Sequence, residues 1–258
     1  MPIEGVKVER GGKDVVKEID VDLWKTKAHG EIIGIKQKEE YMAKSRYFTR
    51  DSEIIGEVKE EGETSGYLVR RETDERLIIR LFSKSMYYQA SLEEMIAREQ
   101  VRRLIYKQNF PSFIVLLKDY PYIVQMSKER GGFGNPEIYS FYHFSNKDGA
   151  FEPLVIRSTR GLGEDFEVKS FDKKVAEIDG AKFDIGGAFK IRIFDPELAK
   201  EQSFYRSLIV FSGALKYLGD VKDRIDKLDD YQKREEVIKL VEEELLLQTN
   251  PRKWIKKT

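Results

Sequence analysis

Cysteine is absent from this 258-residue chain, which excludes disulfides, thiolate metal sites and a cysteine nucleophile. Histidine is scarce. His29 and His143 are the only two, so a site with two histidine ligands requires both of them to meet. Net charge is missing as well. Lys and Arg number 46, and so do Asp and Glu, which removes the overall positive field of a dedicated nucleic-acid binder and leaves only local patches. No apolar run reaches the roughly 18 residues that span a bilayer. The opening MPIEGVKVERGG lacks a signal peptide's apolar core. These absences set the expectation of a soluble, cytoplasmic protein.

Charge, by contrast, is plentiful. Charged residues make up 36% of the chain, above the usual quarter. With no cysteine and much Glu, Lys and Arg, the composition resembles that of proteins from hot environments. No fixed-period repeat or low-complexity linker divides the chain. A composition shift near residue 50 suggests three regions: a charged N-terminal extension or β-hairpins over 1–50, with Gly11 and Gly12 as a turn, a β-rich core domain over 51–220, and a C-terminal helix with a basic tail over 221–258. One domain with an extension is preferred to two separate domains.

Strand signals dominate the core. Ile54–Val58, Gly66–Arg70 and Leu77–Phe82 are separated by the charged, Gly-bearing turns EEGETSG and ETDE. The segments PSFIVLLKDYPYIVQMSK, PEIYSFYHFSNKDG and FEPLVIRSTRG add further strands rich in β-branched and aromatic residues. Between these groups lies a helical pattern over 92–108. Ser91 is placed as its N-cap, with Glu94 completing a capping box. Leu92, Met95, Ile96, Ala97, Val101, Leu104 and Ile105 form its apolar stripe.

The most informative stretch is Phe166–Leu218. Phe166 and Val168, with Phe171 as a further member, alternate with charged residues. Val175 and Ile178 follow a turn at Asp172–Lys174. Phe183, Ile185, Phe189, Ile191 and Ile193 come next, with Gly186–Gly187 as a tight turn. Then SFYRSLIVFSGALKYL, residues 203–218, is apolar around most of its helical circumference, and such a helix must be enclosed. The fold class expected is therefore α+β: a mainly antiparallel sheet or barrel enclosing a hydrophobic helix at about 203–218. Flanking helices are expected at about 92–108 and 221–247.

This order of short strands, FKIRIFDPEL and a late apolar helix resembles the tubby C-terminal-like fold shared with phospholipid scramblases. The resemblance implies a twelve-stranded barrel closed around a central hydrophobic helix. It also implies a basic pocket for phosphoinositide headgroups, whose residues cannot be matched onto this chain. A scramblase-type calcium loop is not evident in DPELAKEQS. The helix at 92–108 and the charged helix after Leu218 depart from the family's pattern.

No catalytic signature appears, and no cofactor or metal is expected. KERGGFG and GGFGNP lack the spacing of a phosphate loop and read as strand connections. STRGLGED sets Arg157 and Arg160 beside two glycines, which suits either a solvated turn or an anion site. His143 shares a strand face with Tyr139 and Phe141 and has no identifiable catalytic partner. The favoured function is a non-catalytic binding or scaffold protein. The resemblance makes its target an anionic ligand, a lipid headgroup or polyanion, with Arg157, Arg160, Arg206 and Lys216 as candidate contacts. An alternative is a nucleic-acid-binding accessory protein using the basic-aromatic segments KSRYFTR, VRRLIYK and RKWIKK. Its candidates are Arg46, Tyr47, Arg50, Arg102, Arg103, Lys253 and Trp254. Further alternatives are a carboxylate-based enzyme and a structural assembly subunit. A peripheral membrane contact through the terminal RKWIKK and a homo-oligomer through residues 221–247 complete the expected partners.

Overall fold

The computed structural model describes residues 14–23, 35–71, 76–106, 108–132, 135–145, 149–159, 165–180 and 187–227. Expectations placed on Gly11–Gly12, His29, Phe183–Gly186, Arg160, residues 228–247, Lys253 and Trp254 lie outside them.

Twelve strands form one closed antiparallel barrel. They are β1 (Lys17–Leu23), β2 (Ser52–Glu60), β3 (Glu63–Arg71), β4 (Ile78–Ser83), β5 (Tyr88–Glu94) and β6 (Ser112–Leu117) in the first half. The second half is β7 (Val124–Gly132), β8 (Asn135–Phe144), β9 (Phe151–Ser158), β10 (Phe166–Ser170), β11 (Lys173–Gly180) and β12 (Ala188–Ile193). Each strand pairs with its neighbours in chain order. The charged N-terminal region supplies the closing strand: in β1, Ile19 lies opposite Glu60 of β2 and Ile191 of β12. Closure leaves no exposed sheet edge.

The alternation of the strands sorts residues to two faces. In β1 and β12, Ile19, Val21, Phe189, Ile191 and Ile193 point inward and are buried. Their neighbours face out and pair across strands: Lys190 with Glu18 at 2.8 Å and Asp20 at 3.3 Å, Arg192 with Glu177 at 2.7 Å and Asp179 at 3.0 Å. This is the reverse of the alternation with which a barrel faces lipid. No described helix is long and apolar enough to cross a membrane.

Inside the barrel runs a helix preceded by a short 3₁₀ turn, Leu198–Lys200. Helix α1 spans Ile35–Lys44, α2 spans Ile96–Tyr106, and this central helix, α3, spans Gln202–Leu215. It lies against β1, β4, β5, β6 and β12. Phe204, Leu208, Ile209, Val210, Phe211 and Leu215 are all buried, and each contributes roughly 1.5–3 kcal/mol by leaving water. Phe211 meets the edges of Tyr139 and Phe166 at 5.1 and 6.1 Å between ring centroids. The buried hydroxyls of Ser207 and Ser212 donate to the carbonyls of Ser203 and Ile209, both at 2.8 Å, so they enter the core satisfied. Gly213 allows a close approach to the wall. A Cβ there would sit 3.0 Å from Leu68 Cδ1 and 3.2 Å from Ile79 Cγ2.

Three expected boundaries move. The central helix stops at Leu215 rather than Leu218, because Lys216 and Tyr217 turn and a new helix, α4, begins at Leu218 and runs to Lys227. The helix expected from Leu92 starts at Ile96 instead. Leu92–Glu94 belong to β5, where Leu92 is fully buried opposite Ile79 and Val115. Ser91 caps nothing. Its hydroxyl lies 3.1 Å from that of Tyr88. Inward burial of Leu92 outweighs the local capping signal. The expected stripe also divides, since Met95 and Ile96 are buried while Val101 and Ile105 are exposed. Finally, Phe171 leaves the strand face and sits at the β10–β11 turn, 79% exposed with φ of 49°.

The two ends of the barrel differ. At one end, α4 closes the opening through Lys222–Glu137 at 2.9 Å, Arg224–Glu94 at 2.5 Å and Arg103–Asp226 at 2.6 Å. The other end carries the hairpin turns β2–β3, β4–β5, β6–β7, β8–β9 and β10–β11, together with the start of α3. Every described non-glycine residue with positive φ, namely Glu61, Met86, Asp119 and Phe171, lies in one of these turns.

Candidate functional site

A groove of about 840 Å³ opens at the hairpin end. Three segments far apart in sequence build it: Lys44–Tyr47 at the end of α1, Tyr87–Tyr88 entering β5, and Leu116–Tyr122 from the end of β6 through the β6–β7 turn. Among the described residues it is lined by five tyrosines (47, 87, 88, 120 and 122), the cations Lys44, Arg46 and Lys118, and one carboxylate, Asp119.

Local chemistry fixes each wall. α1 ends where Phe48 inserts among Ile54, Val69, Phe82 and Met86 on the outside of the barrel, with Tyr41 edge-on to it at 5.7 Å. That anchor places Tyr47 over Tyr88, with ring centroids 4.7 Å apart. The Tyr47 carbonyl accepts from the buried Arg80 guanidinium. Tyr88 donates to the Leu116 carbonyl at 3.0 Å, and burial pushes its phenol above the usual range. At the turn, Tyr120 Oη donates to the Phe144 carbonyl and accepts from the Phe144 N–H, both at 2.8 Å. Burial raises the Tyr120 phenol to about 12, so it stays protonated and keeps both bonds. Tyr47, Tyr88 and Tyr120 thus form an anchored floor, while Tyr87 and Tyr122 are exposed at its edge.

The cations are mounted on the rim. Lys44, Arg46 and Lys118 are exposed. Arg46 lies with its guanidinium 5.2 Å from the Tyr47 ring centroid and donates to the Tyr47 hydroxyl at 3.2 Å. Lys44 is tethered to Glu40 at 2.6 Å, which raises its proton affinity. Lys118 has Asp119 at 3.9 Å. Such a groove can stack planar or apolar groups on tyrosine while presenting cations to negative charge. No family model, no curated protein and no solved structure matches the chain.

The residues singled out from sequence divide sharply. Arg46 and Tyr47 line the groove. Arg50 is exposed in the turn before β2 and is not part of the lining. Arg102 and Arg103 serve the α2 packing instead: Arg102 lies 4.6 Å from the Phe110 ring and 3.4 Å from Glu129, and Arg103 pairs with Asp226 and Asn109. Arg157 projects from the outer face of β9. Arg206 and Lys216 lie ten residues apart on the line of α3, about 15 Å, so they belong to opposite ends of the barrel. Arg206 is half-buried at the hairpin end, where desolvation lowers its proton affinity while Asp119 and Glu60 oppose that effect. Lys216 sits beside Tyr217 at the α4 end. The described members of the expected anion-binding set therefore do not converge on one site.

Tyr87, Tyr88, Lys118, Tyr120 and Tyr122 were not anticipated. Their signal was available in the strings MYYQ and LKDYPY, two tyrosine pairs at turns with a lysine beside the second.

His143 is buried behind the groove. Its ring stacks on Tyr120 at 5.9 Å and meets Phe204 edge-on at 5.9 Å. Its Nε2 has no hydrogen-bond partner among the described residues, and burial lowers its pKa. The buried carboxylates lie elsewhere. Glu94 accepts from the Leu77 N–H and pairs with Arg224, while Glu99 accepts from the Ser112 N–H. Among the described residues no three His, Asp or Glu side chains gather in metal-binding geometry.

Proposed function

We propose that the chain is a non-catalytic binding protein that takes a phosphate-bearing anionic ligand in the tyrosine-lined groove. The observation that carries this reading is the composition of the groove: among the described residues, three rim cations and five tyrosines line it against a single carboxylate. A tubby-like assignment supports it, and the twelve-stranded barrel around α3 is the architecture that assignment implies. A lipid headgroup and a soluble polyanion share the chemistry recognised. The carboxylate-enzyme alternative needs two carboxylates facing one substrate, whereas Asp119 is the only carboxylate among the described residues that line the groove.

The test is titration calorimetry with inositol hexakisphosphate, comparing the wild-type chain with the Arg46→Ala, Lys118→Ala double variant. Binding should weaken about tenfold or more in the variant, and should weaken with added salt as expected for exposed charges. Co-sedimentation with phosphatidylcholine vesicles, with and without a phosphoinositide, distinguishes the lipid source from the soluble one. If neither the soluble anion nor the phosphoinositide vesicles bind, or the double variant binds as well as wild type, the reading is wrong.

A further inference from the structure

The groove does not end at Tyr122. A line of rings leads out of it along the barrel rim. Tyr120 meets Tyr122 at 5.3 Å, Tyr122 stacks on Phe144 at 4.6 Å, Phe144 meets Phe151 at 5.5 Å, and Phe151 stacks on Tyr142 at 5.0 Å. The β8–β9 register explains the far half. Phe144 and Phe151 are direct cross-strand partners, and Tyr142 lies two residues along on the same face. Tyr122, Phe151 and Tyr142 are 38%, 56% and 53% exposed. Three solvent-exposed aromatics in one continuous row stand apart from the scattered apolar side chains exposed elsewhere, such as Val101 and Phe171, and packing of the core does not require them.

We infer that groove and row together form a track for single-stranded nucleic acid. This rests on the anion-binding reading of the groove. A headgroup or a free phosphate fills the groove and leaves the row unused. A neutral glycan stacks on the row and leaves Lys44, Arg46 and Lys118 unused. A strand of nucleotides uses both, its bases on the rings and its phosphates on the cations. The rings also lie against one another along the wall, Tyr122 on Phe144 at 24° and Tyr142 on Phe151 at 25°. Each stacked pair shares one face between its two rings and leaves the outer face of the exposed member for a base. Every base has a face to stack, so recognition by this row is tolerant of sequence.

The test is fluorescence anisotropy of a labelled oligouridylate of about 15 nucleotides with the full chain. Phe151→Ala with Tyr142→Ala removes two exposed rings, and thermal melts of that variant should match wild type. Affinity should fall about tenfold or more, the loss of one to two stacked bases. Arg46→Ala with Lys118→Ala should weaken binding and flatten its dependence on salt between about 50 and 200 mM. A blunt duplex of the same length should bind less well than the single strand. The inference is overturned if the oligonucleotide does not bind, if the ring variant binds it equally, or if phosphatidylserine vesicles bind through the same two rings. Binding of inositol hexakisphosphate without binding of the oligonucleotide removes the nucleic-acid track and leaves the groove reading standing. Absence of both removes the two together.

Discussion

Tyr120 and His143 show how single residues tie the site to the core. Tyr120 closes two hydrogen bonds with the Phe144 backbone, and its ring lies parallel to the His143 imidazole, 7° apart. His143 is held in a largely apolar setting, with desolvation lowering its pKa below the ordinary 6.5 and Glu201 opposing that shift. A histidine that resists protonation when folded is protonated more readily when unfolded. Its effect on stability is absent above about pH 6.5 and becomes destabilising as pH falls through that value toward the lowered native pKa. In urea melts, the midpoint should fall between about pH 7 and pH 5. His143→Phe, which keeps a ring against Tyr120 and Phe204, should show a flatter profile across the same window. A variant profile parallel to wild type would mean that His143 is not the titrating group. Below this range the lowered carboxyls of Glu137 and Glu177, held by lysine and arginine partners against a desolvation that raises them, take over the acid response.

At the scale of elements, α4 is the piece whose attachment is most polar. Val221 and Ile225 are buried, but its outer turns are fixed by ion pairs. The Glu94 side chain is fully inaccessible and Arg224 is 18% exposed, so removing the cation strands a carboxylate away from water. Arg224→Ala should lower stability by about 3 kcal/mol, the lower end for breaking a buried pair. Adding Glu94→Gln should recover part of that loss, because a neutral amide is cheaper to bury. Equal melting of Arg224→Ala and wild type would show that α4 is not held in this way. The start of α2 teaches a related lesson. Ser91 and Glu94 have the spacing of a capping box, yet Ser91 bonds Tyr88 and Glu94 reaches Arg224 and the Leu77 N–H. The same two side chains satisfy a helix start or a strand end, and only the burial of Leu92 between β4 and β6 decides between them.

Across the whole molecule, the barrel was legible because its physics is local in sequence. Period-two alternation in Phe189, Ile191 and Ile193 declares one apolar face, and the apolar circumference of α3 declares that something surrounds it. The site was not legible for the opposite reason. Lys44–Tyr47, Tyr87–Tyr88 and Lys118–Tyr122 share no periodicity and meet only because three connections reach the same end of the barrel. Arg46 and Tyr47 could be singled out as a basic-aromatic pair, but their partners were visible only as tyrosine doublets at turns. The same closure separates residues that sequence grouped together, since Arg206 and Lys216 face opposite ends of the barrel that α3 fills. Architecture thus gives the chain one sealed end and one decorated end, with the tyrosines, the rim cations and the exposed ring row at the latter.

Anion binding at that decorated end is the central prediction. Hydrogen exchange measured with and without inositol hexakisphosphate tests this most directly. Protection should rise in the segments 44–47, 87–88 and 116–122 and stay unchanged at the α4 end around Glu94 and Glu137. Protection confined to the α4 end or to the outer face of β9 around Arg157, with the three groove segments unaffected, would contradict it.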